Sequence, residues 1–149
     1  MQYNGVWVLL VFFLQAVLKL TKDKMPLVVE DCYNSLVNLS SEDHANNFIL
    51  SEYNIIPEFF NVMCDPTSKY SDKVCMIVSN LTRTLPGSQK VAEHISELNP
   101  NANDTENRPS LDKLLDLFCK ASSKKVNANL DYVATIFSNI TQLREGAIR

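Results

Sequence analysis

The stretch VCMIVSNLTR, Val74–Arg83, decides how this chain is read. At roughly 100° per residue, Val74, Ile77, Val78 and Leu81 fall on one stripe, the i, i+3, i+4, i+7 pattern of a helix that buries one face. Lys73, Met76, Asn80 and Arg83 lie largely opposite. The same stretch carries Asn80-Leu81-Thr82, an acceptor sequence for N-glycosylation, so it points either to a secreted glycoprotein or to a helix in a packed core.

Two other stretches match it. CYNSLVNLSS (Cys32–Ser41) and VATIFSNITQ (Val133–Gln142) align on Asn38, Asn80 and Asn139, each reading apolar, any, Asn, apolar, hydroxyl. An acid stands eight residues before each Asn: Glu30, Asp72 and Asp131. Copies one and two are 42 residues apart, within the armadillo and HEAT period of roughly 40 to 47, and the third lies 59 further on. The excess length falls in NPNANDTENRPS (Asn99–Ser110), a polar run that reads as a loop insertion. Upstream of each Asn, by 21 residues, lies an apolar segment with Val17, Phe59 or Phe118 at the equivalent place. Further helices are expected over Glu42–Glu52 and Gln89–Leu98, Pro57 suits a first helical turn, and Ser110 suits an N-cap. Three helices per repeat is the armadillo plan. The expected fold is an all-α, armadillo/HEAT-like solenoid forming one domain, with repeats over about 9–41, 42–83 and 88–142. Its expected core includes Leu36, Leu39, Phe59, Val74, Val78, Leu81, Leu114, Phe118, Ile136, Phe137 and Ile140.

Composition agrees. The chain has 149 residues, 46% hydrophobic and 21% charged, with three Gly. That is the mix of a core-forming globular chain, with few turn residues for a many-stranded sheet. A net charge of −3 gives no basic field for nucleic acid. Val6–Leu18 is an apolar run, too short for a membrane span, with no Lys or Arg before it and no small-x-small cleavage site after it. It reads as a buried helix; the alternative is a signal peptide. Cys32, Cys64, Cys75 and Cys119 form no CxxC pair, which argues against zinc, and are read as reduced core thiols.

The recurrent Asn lies on the exposed stripe of the third helix, which lines the concave groove of an armadillo stack. Asn inside a helix costs propensity, so three at one place need a reason. Two are open: a ladder of side-chain amides joining neighbouring repeats, or a grip on an extended polypeptide, since an amide offers both donor and acceptor. The row resembles that of the nuclear-import adaptors, whose groove asparagines hold a peptide. Their tryptophan four residues earlier is replaced here by Asn34, Met76 and Thr135. Because three of the four sequons are repeat positions within helices, and only Asn103 lies in a loop, the expected compartment is the cytosol.

DKVCMIVSNLTR (Asp72–Arg83), LLDLFCK (Leu114–Lys120) and YVATIFSNITQLREG (Tyr132–Gly146) resemble an armadillo-repeat family of eukaryotic cytosolic chaperones. That family assists folding of translation elongation factor 2 beside the ring-shaped chaperonin and the ninety-kilodalton heat-shock system. The likeness runs from about Leu14 to Gly146; Met1–Phe13 falls outside it, and the chain stops where a further repeat is expected. It implies a non-enzymatic scaffold with a protein client and neither nucleic acid nor membrane as partner. The expected groove residues are Asn38, Lys73, Met76, Asn80, Arg83, Tyr132 and Asn139. The alternatives are a peptide-binding adaptor of another armadillo type or a secreted glycoprotein. No catalytic motif, metal-ligand spacing or cofactor loop is found. His44 and His94 read as surface residues, SSKK (Ser122–Lys125) as a solvated turn, and the three acids as partners of helix dipoles.

Overall fold

The computed structural model describes residues 5–51, 55–96, 110–122 and 128–145. Among these residues the secondary structure is helical, with no strand. The helices are α1 (Gly5–Leu20), α2 (Pro26–Ser40), α3 (Asp43–Ser51), α4 (Ile55–Cys64), α5 (Ser71–Leu81), α6 (Leu85–Ser96), α7 (Ser110–Ser122) and α8 (Ala128–Thr141), followed by a 3-10 turn at Gln142–Glu145. The chain is an α-solenoid of armadillo-like units. Helices α3–α4–α5 and α6–α7–α8 each form a three-helix unit, and α1–α2 take the second and third helix places beside them. The third helices α2, α5 and α8 pack in a row, α5 between the other two.

Position in that row explains burial. Val74, Ile77, Val78 and Leu81 of α5 are wholly buried, as their stripe requires. Cys75, Ser79 and Thr82 are buried as well, because α8 lies against that side while α2 and α4 cover the others. Removing such a Val, Leu or Ile side chain from water is worth roughly 1.5–3 kcal/mol, so α5 holds much of the stack together. Leu36, Phe59, Leu114 and Ile136 are also buried, whereas Leu39, Phe118, Phe137 and Ile140 pack against the core while half covered. Phe118 of α7 meets Phe137 of α8 edge to face, centroids 5.9 Å apart.

Several expectations need correction. Helix α6 starts at Leu85, four residues before Gln89. A Pro-Gly pair ordinarily marks a turn, yet Pro is accommodated in a first helical turn, and Gly87 is there for closeness: a Cβ would lie 2.6 Å from the carbonyl carbon of Leu81 and clash with its oxygen. The run Val6–Leu18 is not a buried helix. Among the described side chains of α1 only Leu14 and Val17 are buried, while Leu9 is 70% and Phe12 65% exposed. With Gln15 its one polar residue, the run has no polar face to declare which side is outside. No helix among the described residues is long and apolar enough to cross a membrane. Cys119 is exposed rather than a core thiol, on the outer side of α7 with Leu111 and Leu115. His94 is half-buried, its ring edge-on to Phe60 at 4.8 Å; His44 is exposed. Ser110 opens α7, and Ser122 ends it. The expected insertion 99–109, the sequon at Asn103, Glu52, Leu98 and Ser123–Lys125 lie outside the described residues.

Candidate functional site in the row of third helices

The repeated Asn is placed by the repeat. Asn80 of α5 donates from Nδ2 to Oγ of Ser40 at 3.0 Å and to the carbonyl of Val37 at 3.2 Å, both on α2. Asn139 of α8 donates from Nδ2 to Oγ1 of Thr82, just past α5, at 3.1 Å. Ser40 and Thr82 stand two residues after Asn38 and Asn80. Asn80 and Asn139 therefore each reach back to the hydroxyl of the preceding copy of their own motif. Those hydroxyls are aimed by local bonds: Ser40 donates to Val37 O at 2.9 Å and Thr82 to Ser79 O at 2.9 Å, which leaves a lone pair for the incoming amide. The Asn-x-hydroxyl pattern is thus half of an interlocking pair repeated along the stack, and it gives the sequons at Asn80 and Asn139 a structural role without a glycan.

A second rung lies under the first. Buried Asn46 of α3 donates to the carbonyls of Ser40 and Asn80, each at 3.1 Å. At the equivalent place on α6, 42 residues later, Ser88 donates to the Thr82 carbonyl at 2.6 Å. The opposite ends of the third helices are tied too. Lys73 donates to Oδ1 of Asn34 and lies 3.7 Å from Glu30; the Tyr70 hydroxyl donates to Pro26 O at 3.2 Å; Asn129 donates to Asp72 at 2.7 Å. Glu30 thus faces a lysine, and α2 begins at Pro26, so Glu30 lies beyond its first turn and is not the dipole partner expected. Asp72 and Asp131 do lie in first turns.

The expected groove residues consequently differ in what they can offer. Asn38 is exposed and its amide makes no hydrogen bond among the described residues. Asn80 and Asn139 are half-buried with Nδ2 occupied, leaving Oδ1. Lys73 is half-covered and neutralised by Glu30. Met76 and Tyr132 are half-buried. Arg83 is exposed just after α5, and its guanidinium forms no ion pair among the described residues. Sequence reasoning missed Ser40, Thr82, Asn46 and Asn129. The first two were signalled by the repeated hydroxyl; Asn46 and Asn129 sit in stretches without a repeated mark.

Among the described residues the row offers hydrogen bonding and charge. No cluster of three His, Cys, Asp or Glu capable of holding a metal occurs among the described residues. Cys32, Cys64, Cys75 and Cys119 form no disulfide among the described residues. Burial pushes Cys64 up to about 11 and Cys75 to about 12, the latter helped by Cys64 and Asp72 nearby, so neither is poised as a nucleophile.

Residues 62–148 match the family described as "Domain of unknown function (DUF383)". The chain belongs to this family. It is also similar to "Protein HGH1 homolog" of Danio rerio, 34% identical over 133 residues, covering 89% of this chain and 33% of the relative. The protein of that name from Xenopus laevis is 30% identical over 136 residues, covering 89% and 34% respectively. In Schizosaccharomyces pombe it is 25% identical over 129 residues, covering 85% and 35%. The chain spans about a third of the length of these relatives. The family resemblance read from Asp72–Arg83 and Tyr132–Gly146 is borne out.

Proposed function

We propose that the chain is a non-enzymatic, protein-binding scaffold of the cytosol that assists folding of translation elongation factor 2, with the client held along the row of third helices. The observation that supports it most is the row itself, in a chain of this family: polar and apolar side chains repeat at one register along three parallel helices. Asn80 and Asn139 each commit a nitrogen to the scaffold and keep an Oδ1 for a client N–H, while Asn38 keeps both. Met76 and Tyr132 supply apolar contact, and Arg83 attracts an acidic segment. Each net hydrogen bond contributes only about 0.5–1.5 kcal/mol, so a grip of this kind needs several repeats acting together. The chaperonin and the ninety-kilodalton heat-shock system are the companions the resemblance implies.

Binding of elongation factor 2 to the purified chain, followed by fluorescence anisotropy, tests this. Asn38→Ala and Arg83→Ala should weaken binding severalfold and leave the melting temperature unmoved, since neither side chain makes a bond among the described residues. Salt should weaken the Arg83 contribution. No retention of elongation factor 2 by the unaltered chain, or unchanged affinity in both variants, sets the reading aside.

A further inference from the structure

Among the described helices, α1 alone carries no acid. Its inner side holds Leu14 and Val17 in the core, with Leu10 and Leu18 packed against it. Its outer side is exposed at Leu9, Phe12, Phe13, Ala16 and Leu20. Within that side Leu9, Phe13, Ala16 and Leu20 follow one another at spacings of 4, 3 and 4. That is the spacing at which two helices meet along a seam, each side chain seated among those of the facing helix. The seam reads large, large, small, large and contains no charge, with Phe12 and Lys19 flanking it.

We propose that the outer side of α1 is an interface between two copies of this chain, paired antiparallel about a twofold axis. The register that sets Leu9 against the partner's Leu20 also sets Phe13 against the partner's Ala16. Each large ring then has a small residue opposite it, and the twofold repeats both contacts. Parallel pairing fits badly, because like residues face each other: the Phe13 rings collide, the Ala16 layer is left hollow, and both Lys19 lie at the same end. Antiparallel pairing keeps the lysines at opposite ends. Charge selects the place as well. Two copies that each carry −3 repel, and at α1 they meet without carboxylate facing carboxylate. One helix face is smaller than the roughly 800 Å² that each partner contributes to a standard interface, so the dimer is weak and depends on concentration.

Sedimentation equilibrium of the full chain over a wide concentration range tests this. The expected result is a monomer–dimer equilibrium. Phe13→Glu should raise the dissociation constant at least about tenfold, and so should Ala16→Lys, because each seats a charge against an apolar side chain. Both positions are exposed in the single chain, so the dilute variants should keep the parent's melting midpoint. An equimolar mixture of the two variants should restore association, because antiparallel pairing brings the introduced carboxylate against the introduced ammonium. A chain that stays monomeric at every concentration, variants that associate as the parent does, or a mixture without rescue overturns the proposal. So does a monomer that floats with phosphatidylcholine vesicles and is released by Phe13→Glu, because the occupant is then lipid.

Discussion

Asn80 shows how one side chain joins two repeats. Asn in a helix interior is worse than Ala by roughly 0.5 kcal/mol, so its recurrence here has to be offset by what the amide does. It makes two hydrogen bonds to α2 and, through its backbone carbonyl, accepts a third from Asn46. Asn80→Ala should therefore destabilise the chain by about 1–3 kcal/mol in urea unfolding, while exposed Asn38→Ala should stay within about 0.5 kcal/mol. A double-mutant cycle of Asn80→Ala with Ser40→Ala should show a coupling of about 0.5 kcal/mol or more, since the residues touch; a coupling near zero would remove the ladder. Gly87 is a sterner case. Its missing Cβ admits the Leu81 carbonyl, and Gly87→Ala should cost about 1–3 kcal/mol through forced backbone movement. The thiols give a third residue-level outcome. At pH 8 a thiol raised to about 12 is ionised only to about one part in ten thousand. Exposed Cys119 should react with a disulfide reagent in the native protein, and Cys75 only on unfolding.

Helix α8 and its partners show which elements could be read from sequence. In α5 and α8 a polar stripe opposes an apolar one, so the buried face declares itself: Val133 and Ile136 are wholly buried, as is Val78. Ile136→Ala should cost about 2–5 kcal/mol on this account, and Phe137→Ala less than the full penalty of a buried ring, because Phe137 is half covered and leans on Phe118. Equal losses at the two positions in a chemical denaturation series would mean the helix face is turned. The repeat was legible because the same hydroxyl-bearing motif had to recur wherever one third helix met the next. The start of α6 was not, since a Pro-Gly pair that ordinarily marks a turn here opens a helix whose backbone approaches α5 closely. The covered state of Cys75 and Ser79 was equally hidden: it depends on α8 arriving from 57 residues away, as the Asn139–Thr82 bond does, and no local period encodes that. Of the site, the positions were legible and the occupation of their amide nitrogens was not, for the same reason.

As a whole the molecule is a row in which each unit leans on its neighbours, and stability in such a row approximates a sum of unit and interface contributions. The positions in the row are unequal. Helix α5 is packed on by α2, α4 and α8, whereas α1 packs mainly on α2 and α3. Val8, Leu9, Phe12 and Phe13 of α1 remain 44%, 70%, 65% and 50% exposed. Fully burying one such side chain is worth roughly 1.5–3 kcal/mol, so α1 forgoes much of the stabilisation that its sequence could supply. Opening α1 therefore breaks few contacts, while opening α5 dismantles three interfaces at once. Native-state hydrogen exchange should resolve this as a gradient: amides of α1 exchanging through local opening at a free energy well below the global value, those of α5 only with global unfolding. Leu9→Ser together with Phe12→Ser should reduce binding of a hydrophobic dye and leave the exchange of α5 unchanged, because the altered surface faces water. If α1 instead exchanges in step with α5, the two ends and the centre form one cooperative block and the nearest-neighbour account of this chain fails. A fall in α5 protection in the same double variant would place Leu9 and Phe12 in a contact that holds the row together.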